Sequence, residues 1–171
     1  MQVTNYRNDF QRDQGSELEE QAFRDHYEQV TGSRLWKLID QQVFDYAEVT
    51  RNGYVKRLIE LKTSINPNNY LNDGMTNRVW VPVGLKKYMT GVSYVKNGGM
   101  DILWVHRWRD RPNGEYWCID FGTLVELRDT VKYPARVTPR SKGLFLEVPL
   151  EMFTRLHDYQ DIGCVETAPI I

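Results

Sequence analysis

The chain has 171 residues, of which 41% are hydrophobic, 12% aromatic and 26% charged, with a formal net charge of −1. That length suits one domain with its own core, and the composition excludes disordered, collagen-like and low-complexity classes. No apolar run approaches the roughly 20 residues of a membrane helix. No secretory signal opens the sequence, and Cys118 and Cys164 show no zinc or disulfide spacing; the expectation is a single cytoplasmic domain over 1–171.

Residues 1–15 are polar and aperiodic and are expected to form a flexible N-terminal arm. A helix is predicted from Ser16, an N-cap residue with Glu19 at capping-box spacing, to Thr31-Gly32. Its apolar positions are Leu18, Ala22, Phe23, His26, Tyr27 and Val30. Residues 34–39 read as a strand or a helical turn. Two β-rich runs, 43–51 and 54–63, flank Asn52-Gly53, the strongest short hairpin signal because both turn positions need positive φ. Residues 64–79 are loop-like. A helix is predicted over Val83–Val95 and a strand over Met100–Trp108. After a turn at 111–114 come strands over Glu115–Phe121 and Gly143–Val148, then a short helix from Pro149 to about His157. Helices interleaved with strands define a mixed α/β domain.

Charge is segregated. Residues 1–50 hold ten acids and five bases, whereas residues 51–143 hold sixteen bases and eight acids. Within the second segment, Arg128, Lys132, Arg136, Arg140 and Lys142 meet only Asp129. Such a region is either a phosphate-binding surface or a solvated face.

A two-residue turn pairs Arg51 with Tyr54 and sets Asp45 directly opposite Glu60, with Lys62 on the same face. The rest of that face is Val43, Ala47, Val49 and Leu58. Facing carboxylates repel, and an apolar setting adds a desolvation cost. A divalent cation together with Lys62 would offset both. The alternative is that one acid is protonated or turned to solvent at a strand end.

Asp45, fourteen intervening residues and Glu60-Leu61-Lys62 on the adjacent strand resemble the motif of the PD-(D/E)xK nuclease superfamily. Phe44 stands where that family has proline. The resemblance implies a restriction-endonuclease-like core: a central mixed β-sheet flanked by helices, in the order helix, three-stranded meander, helix, fourth strand, across residues 16 to about 108. It implies Mg²⁺ or Mn²⁺ held by Asp45, Glu60 and the Leu61 carbonyl, with Lys62 acting on the attacking water and the phosphate. It also draws in Glu19, which points to the middle of the first helix's apolar arc. Glu19 serves either as a further catalytic carboxylate or as the capping partner of Ser16.

Lys86 and Lys87 on the second helix, and His106 and Arg107 among tryptophans, are candidate nucleic-acid contacts. A solvated helix face and an inward strand row are the alternatives. The expected activity is metal-dependent hydrolysis of phosphodiester bonds in DNA, double-stranded or branched, with a homodimer expected by analogy. A non-catalytic nucleic-acid- or protein-binding module on the same fold is the alternative, and an interaction protein whose acids only stabilise the fold is a third reading.

Overall fold

Period-two alternation along the strands sends alternate residues into two different helical layers. The computed structural model describes residues 6–39, 42–64, 79–108, 115–129, 136–140 and 143–159, with side chains for 17–39, 42–64, 79–108, 115–126 and 144–159. Helix α1 (Tyr6–Thr31) leads into β1 (Arg34–Lys37), β2 (Tyr46–Val49) and β3 (Val55–Ser64). Then come β4 (Trp80–Gly84), α2 (Leu85–Gly98), β5 (Asp101–Trp108), β6 (Tyr116–Asp120) and α3 (Phe121–Asp129). The chain continues through β7 (Arg136–Arg140), β8 (Gly143–Pro149) and β9 (Thr154–Arg155).

The main sheet has the order β1-β2-β3-β5-β6-β9, and a three-stranded sheet runs β4-β8-β7. Strands β1, β2 and β3 form an antiparallel meander, and β5 lies parallel to β3. A parallel neighbour requires a crossover, and α2 lies between β3 and β5 in the chain to provide it. The helix–meander–helix–strand order expected from the sequence is therefore present, with β4 inserted before α2. Within the described residues no helix is long and apolar enough to cross a membrane.

Two cores cover the two faces of the main sheet. Phe23 and Tyr27 of α1 pack with Tyr46, Ile59, Leu103 and Val105. On the other face Tyr88 of α2 and Phe121 and Leu124 of α3 pack with Ile102 and Trp104, and Val81, Val83, Leu146 and Val148 bring the small sheet into the same core. Helices α2 and α3 approach closely at Gly91, where a Cβ would lie 2.2 Å from a Phe121 ring carbon. On the α1 side, the Tyr27 hydroxyl donates to Glu48 (2.7 Å), Arg57 Nε pairs with Glu48 (2.8 Å), and Arg57 Nη1 donates to the Tyr159 hydroxyl (2.9 Å). This buried network joins α1, the hairpin and the chain beyond β9.

Several expectations need correction. Helix α1 starts at Tyr6, so Ser16 is interior to it and residues 6–15 are helical; residues 1–5 lie outside the described set. The face α1 presents is also displaced, because Phe23 and Tyr27 are buried while Leu18 is 74% exposed. The expected helix start at Val83 belongs to β4. Strands β4 and β7 and helix α3 went unforeseen, although Asp120 has an N-cap's chemistry: its carboxylate accepts the Thr123 N–H and hydroxyl, both at 2.7 Å. The expected helix from Pro149 is instead two 3-10 turns, Leu150–Met152 and Leu156–Asp158, flanking β9. Most of the loop over 64–79 and the turn at 111–114 lie outside the described residues.

Candidate active site

The hairpin decides whether the two acids meet. Gly53 donates its N–H to the Thr50 carbonyl and Thr50 donates to the Tyr54 carbonyl, both at 2.9 Å, with Gly53 at φ +82°. Thr50, not Arg51, is therefore opposite Tyr54: the loop has three residues, with glycine in the left-handed position that closes such a turn. A register shift between Glu48 and Val49 then compensates, leaving Lys56 as the extra residue, so Glu48 pairs with Arg57 and Tyr46 with Ile59. The two one-residue departures cancel. The expected register is restored from Glu48–Arg57 to Tyr46–Ile59, and Asp45 lies one residue beyond the end of that ladder.

Asp45 directly precedes β2. Its N–H donates to the Ile59 carbonyl (3.0 Å) and its carbonyl accepts the Leu38 N–H (2.8 Å). Its Oδ2 accepts the Leu61 N–H at 2.8 Å, which orients the carboxylate across the hairpin. Glu60 is buried, with Oε1 ion-paired to Lys87 of α2. Its Oε2 is buried without a hydrogen-bond partner. Burial, and then the adjacent Asp45 carboxylate, push the Glu60 pKa up to about 8, while Lys87 opposes the rise. An acid pair in this state is short of positive charge.

A cleft of about 190 Å³ opens beside Asp45, lined by Glu19, Glu20, Asp45, Tyr46, Leu61, Lys62 and Thr63. Lys62 is exposed there. Glu19 and Glu20 precede Phe23 by four and three residues, so the helical repeat carries both toward the sheet with that ring. Because Ser16 is interior to α1, the capping role for Glu19 falls away. Glu20, at the edge of the expected arc, lines the cleft as well and ion-pairs with Lys37. Among the described residues no three acidic, histidine or cysteine side chains form a metal-binding group, so Glu19 lines the cleft without completing a three-carboxylate cage.

The expected nucleic-acid contacts divide. Lys86 is exposed in the first turn of α2, whereas Lys87 reaches inward to Glu60. His106 is 0% exposed, and its Nε2 lies 3.1 Å from the Ser64 hydroxyl. Burial, with the Lys62 charge adding to it, lowers its pKa to about 3 and keeps it neutral. Arg107 is 8% exposed and lies over the Tyr116 ring. Neither residue is placed to touch a nucleic acid; both belong to the inward rows of β5. Arg128, Arg136 and Arg140 carry no described side chains, and Lys132 and Lys142 lie outside the described residues altogether. Sequence reasoning missed the Lys87–Glu60 pair, for which no local signal exists. It also missed the Glu48–Arg57 network, which the directly opposed charges on the hairpin could have revealed.

No family model matches the chain, and no curated protein matches it significantly. A solved structure of a nuclease from a fusselovirus is similar over 91% of this chain and 89% of that one, with a TM-score of 0.50 and 11% sequence identity. The mixed α/β fold, a central mixed sheet flanked by helices, is thus similar to the fold of that nuclease.

Proposed function

We propose that the chain is a metal-dependent nuclease of the PD-(D/E)xK type, hydrolysing phosphodiester bonds in DNA. The observation carrying this reading is the buried, unpartnered Oε2 of Glu60 beside the Asp45 carboxylate, which itself lines a cleft together with Lys62. A fold shared with a viral nuclease supports it.

The donor set fits a hard cation. Asp45 spends one oxygen on the Leu61 N–H and Glu60 spends one on Lys87, which leaves each carboxylate an oxygen to offer. Mg²⁺ is commonly bound by one or two carboxylates, with water and substrate phosphate completing the shell. Asp45 and Glu60 would hold the ion, the Leu61 carbonyl being a further ligand of the same site, and Glu19 and Glu20 would stand outside it across the cleft. When bound, the ion supplies Lewis-acid polarisation of the phosphate and a more acidic water.

The chain's own residues do the rest. Lys62 presents its ammonium to the cleft, where it can orient the attacking water and stabilise charge on the phosphate. Neutral His106 sits opposite Lys62 across the β3–β5 ladder and adds no competing charge. The Leu61 N–H fixes the Asp45 carboxylate before any ligand arrives, which removes a reorganisation cost.

A non-catalytic binding module has one observation in its favour: Lys87 already brings a positive charge to Glu60 without a metal. One experiment separates the two. Purified protein is incubated with supercoiled, linear and branched DNA in Mg²⁺ or Mn²⁺ and in EDTA. Metal-dependent nicking supports the nuclease; binding without nicking of any form supports the module.

A further inference from the structure

A second concavity lies beside the acid pair. It encloses about 450 Å³ and is lined by Lys86, Lys87, Met89, Leu144 and Phe145, with Gly84 and Leu85 at its end. Met89 is 57% exposed and Leu144 51% exposed, so the groove presents apolar surface to solvent between the first turns of α2 and strand β8. Its volume falls in the range of roughly 300–1,000 Å³ typical of sites for small organic groups.

Two features fix what could occupy it. Lys87 lines the groove and yet ion-pairs with Glu60. The groove and the acid pair are therefore one lysine side chain apart. The rim is cationic: Lys86 and Lys87 occupy the first turn of α2, which has no acidic residue and no side-chain cap. A flat apolar group joined to an anion matches this arrangement, and a nucleotide is such a group. A second copy of the chain would set the same lysines against each other about a two-fold axis.

We infer that this groove holds the base of an unpaired nucleotide next to the scissile phosphate, so that the preferred substrate is single-stranded or carries a single-stranded end, flap or branch. This inference rests on the nuclease reading and narrows its substrate. A base inside a duplex is stacked and paired and cannot lay its face against Met89 and Leu144; only an unpaired base can enter. Lys86 would take the adjoining phosphate as a point charge. Lys87 would span from the groove to the reacting centre.

The test measures binding and cleavage side by side. Full-length protein in EDTA is titrated against a labelled single-stranded oligonucleotide, its blunt duplex, and that duplex with a single-stranded tail containing 2-aminopurine. Apolar and stacking contacts to one base predict roughly tenfold tighter binding of the single-stranded and tailed forms than of the blunt duplex. The 2-aminopurine emission should change on binding. Met89→Ala with Leu144→Ala, at positions exposed enough to preserve folding, should bring the ratio within about twofold and abolish the emission change. A wild-type ratio near one, or one that the double variant leaves intact, overturns the inference, and a silent 2-aminopurine reports an occupant other than a base. If blunt duplex is bound and cut without discrimination, the nuclease reading stands and the groove assignment alone falls. If no form is bound or cut, both fall.

Discussion

Glu60→Gln in metal-free buffer isolates the cost of the acid pair. The Glu60 pKa rises from 4.5 to about 8, first through burial and then through Asp45. Between these values the unfolded chain has shed the proton while the folded protein still holds it. Stability therefore falls as pH rises through this window, and the full loss is reached above the folded value. At about 1.4 kcal/mol per pKa unit the loss is on the order of 5 kcal/mol well above pH 8 and about 3 kcal/mol at pH 7. Glu60 is 3% exposed, so solvent screening takes little from this figure. Glutamine keeps the shape and cannot ionise; the Lys87 it releases is partly exposed and can turn to solvent. Urea denaturation of both proteins in EDTA should give stabilities within about 1 kcal/mol of each other near pH 5, and a variant more stable by several kcal/mol near pH 9. Parallel pH profiles would refute the reasoning, because Glu60 would then ionise in the folded protein as freely as in the unfolded one.

Asp45→Asn and Lys62→Ala should each lower metal-dependent cleavage by several orders of magnitude in a plasmid-nicking assay, while leaving far-UV circular dichroism unchanged. Mn²⁺ at about 100 times its Kd should stabilise the wild type by about 2.7 kcal/mol and Lys62→Ala to a similar extent, but Asp45→Asn far less, as read by thermal unfolding. Gly91→Ala drives a methyl into the Phe121 ring and should cost about 1–3 kcal/mol, with Phe121→Leu in the same chain restoring part of it. Arg57→Met leaves Glu48 buried, with Tyr27 and the more distant Lys56 as its described polar neighbours, and should cost about 3–5 kcal/mol in chemical denaturation.

The sequence by itself determined the elements whose signals are local. Strand β3 and its partner β2 follow from alternation around Asn52-Gly53, β5 from its aromatic run, and the meeting of Asp45 with Glu60 from hairpin pairing. The meeting was legible for a subtler reason than a two-residue turn, since a longer loop and a bulge at Lys56 offset each other. The fold class followed because helices and strands alternate along the chain.

Tertiary structure decided the rest. Which face of α1 turns inward depends on what it packs against: Phe23 and Tyr27 meet the sheet through Tyr46 and Tyr116, and this rotation carries Glu20 into the cleft and leaves Leu18 in solvent. His106 and Arg107 read as surface contacts in a charged, aromatic stretch, yet the position of β5 between β3 and β6 buries them. Strand β4 pairs with β8, which lies more than fifty residues beyond it, and no local pattern reports a pairing across that distance. Lys87 meets Glu60 only because the crossover lays α2 over the sheet at that strand. Local periodicity encodes which side chains share a face, whereas burial and charge pairing are settled by whichever remote element comes to lie on that face.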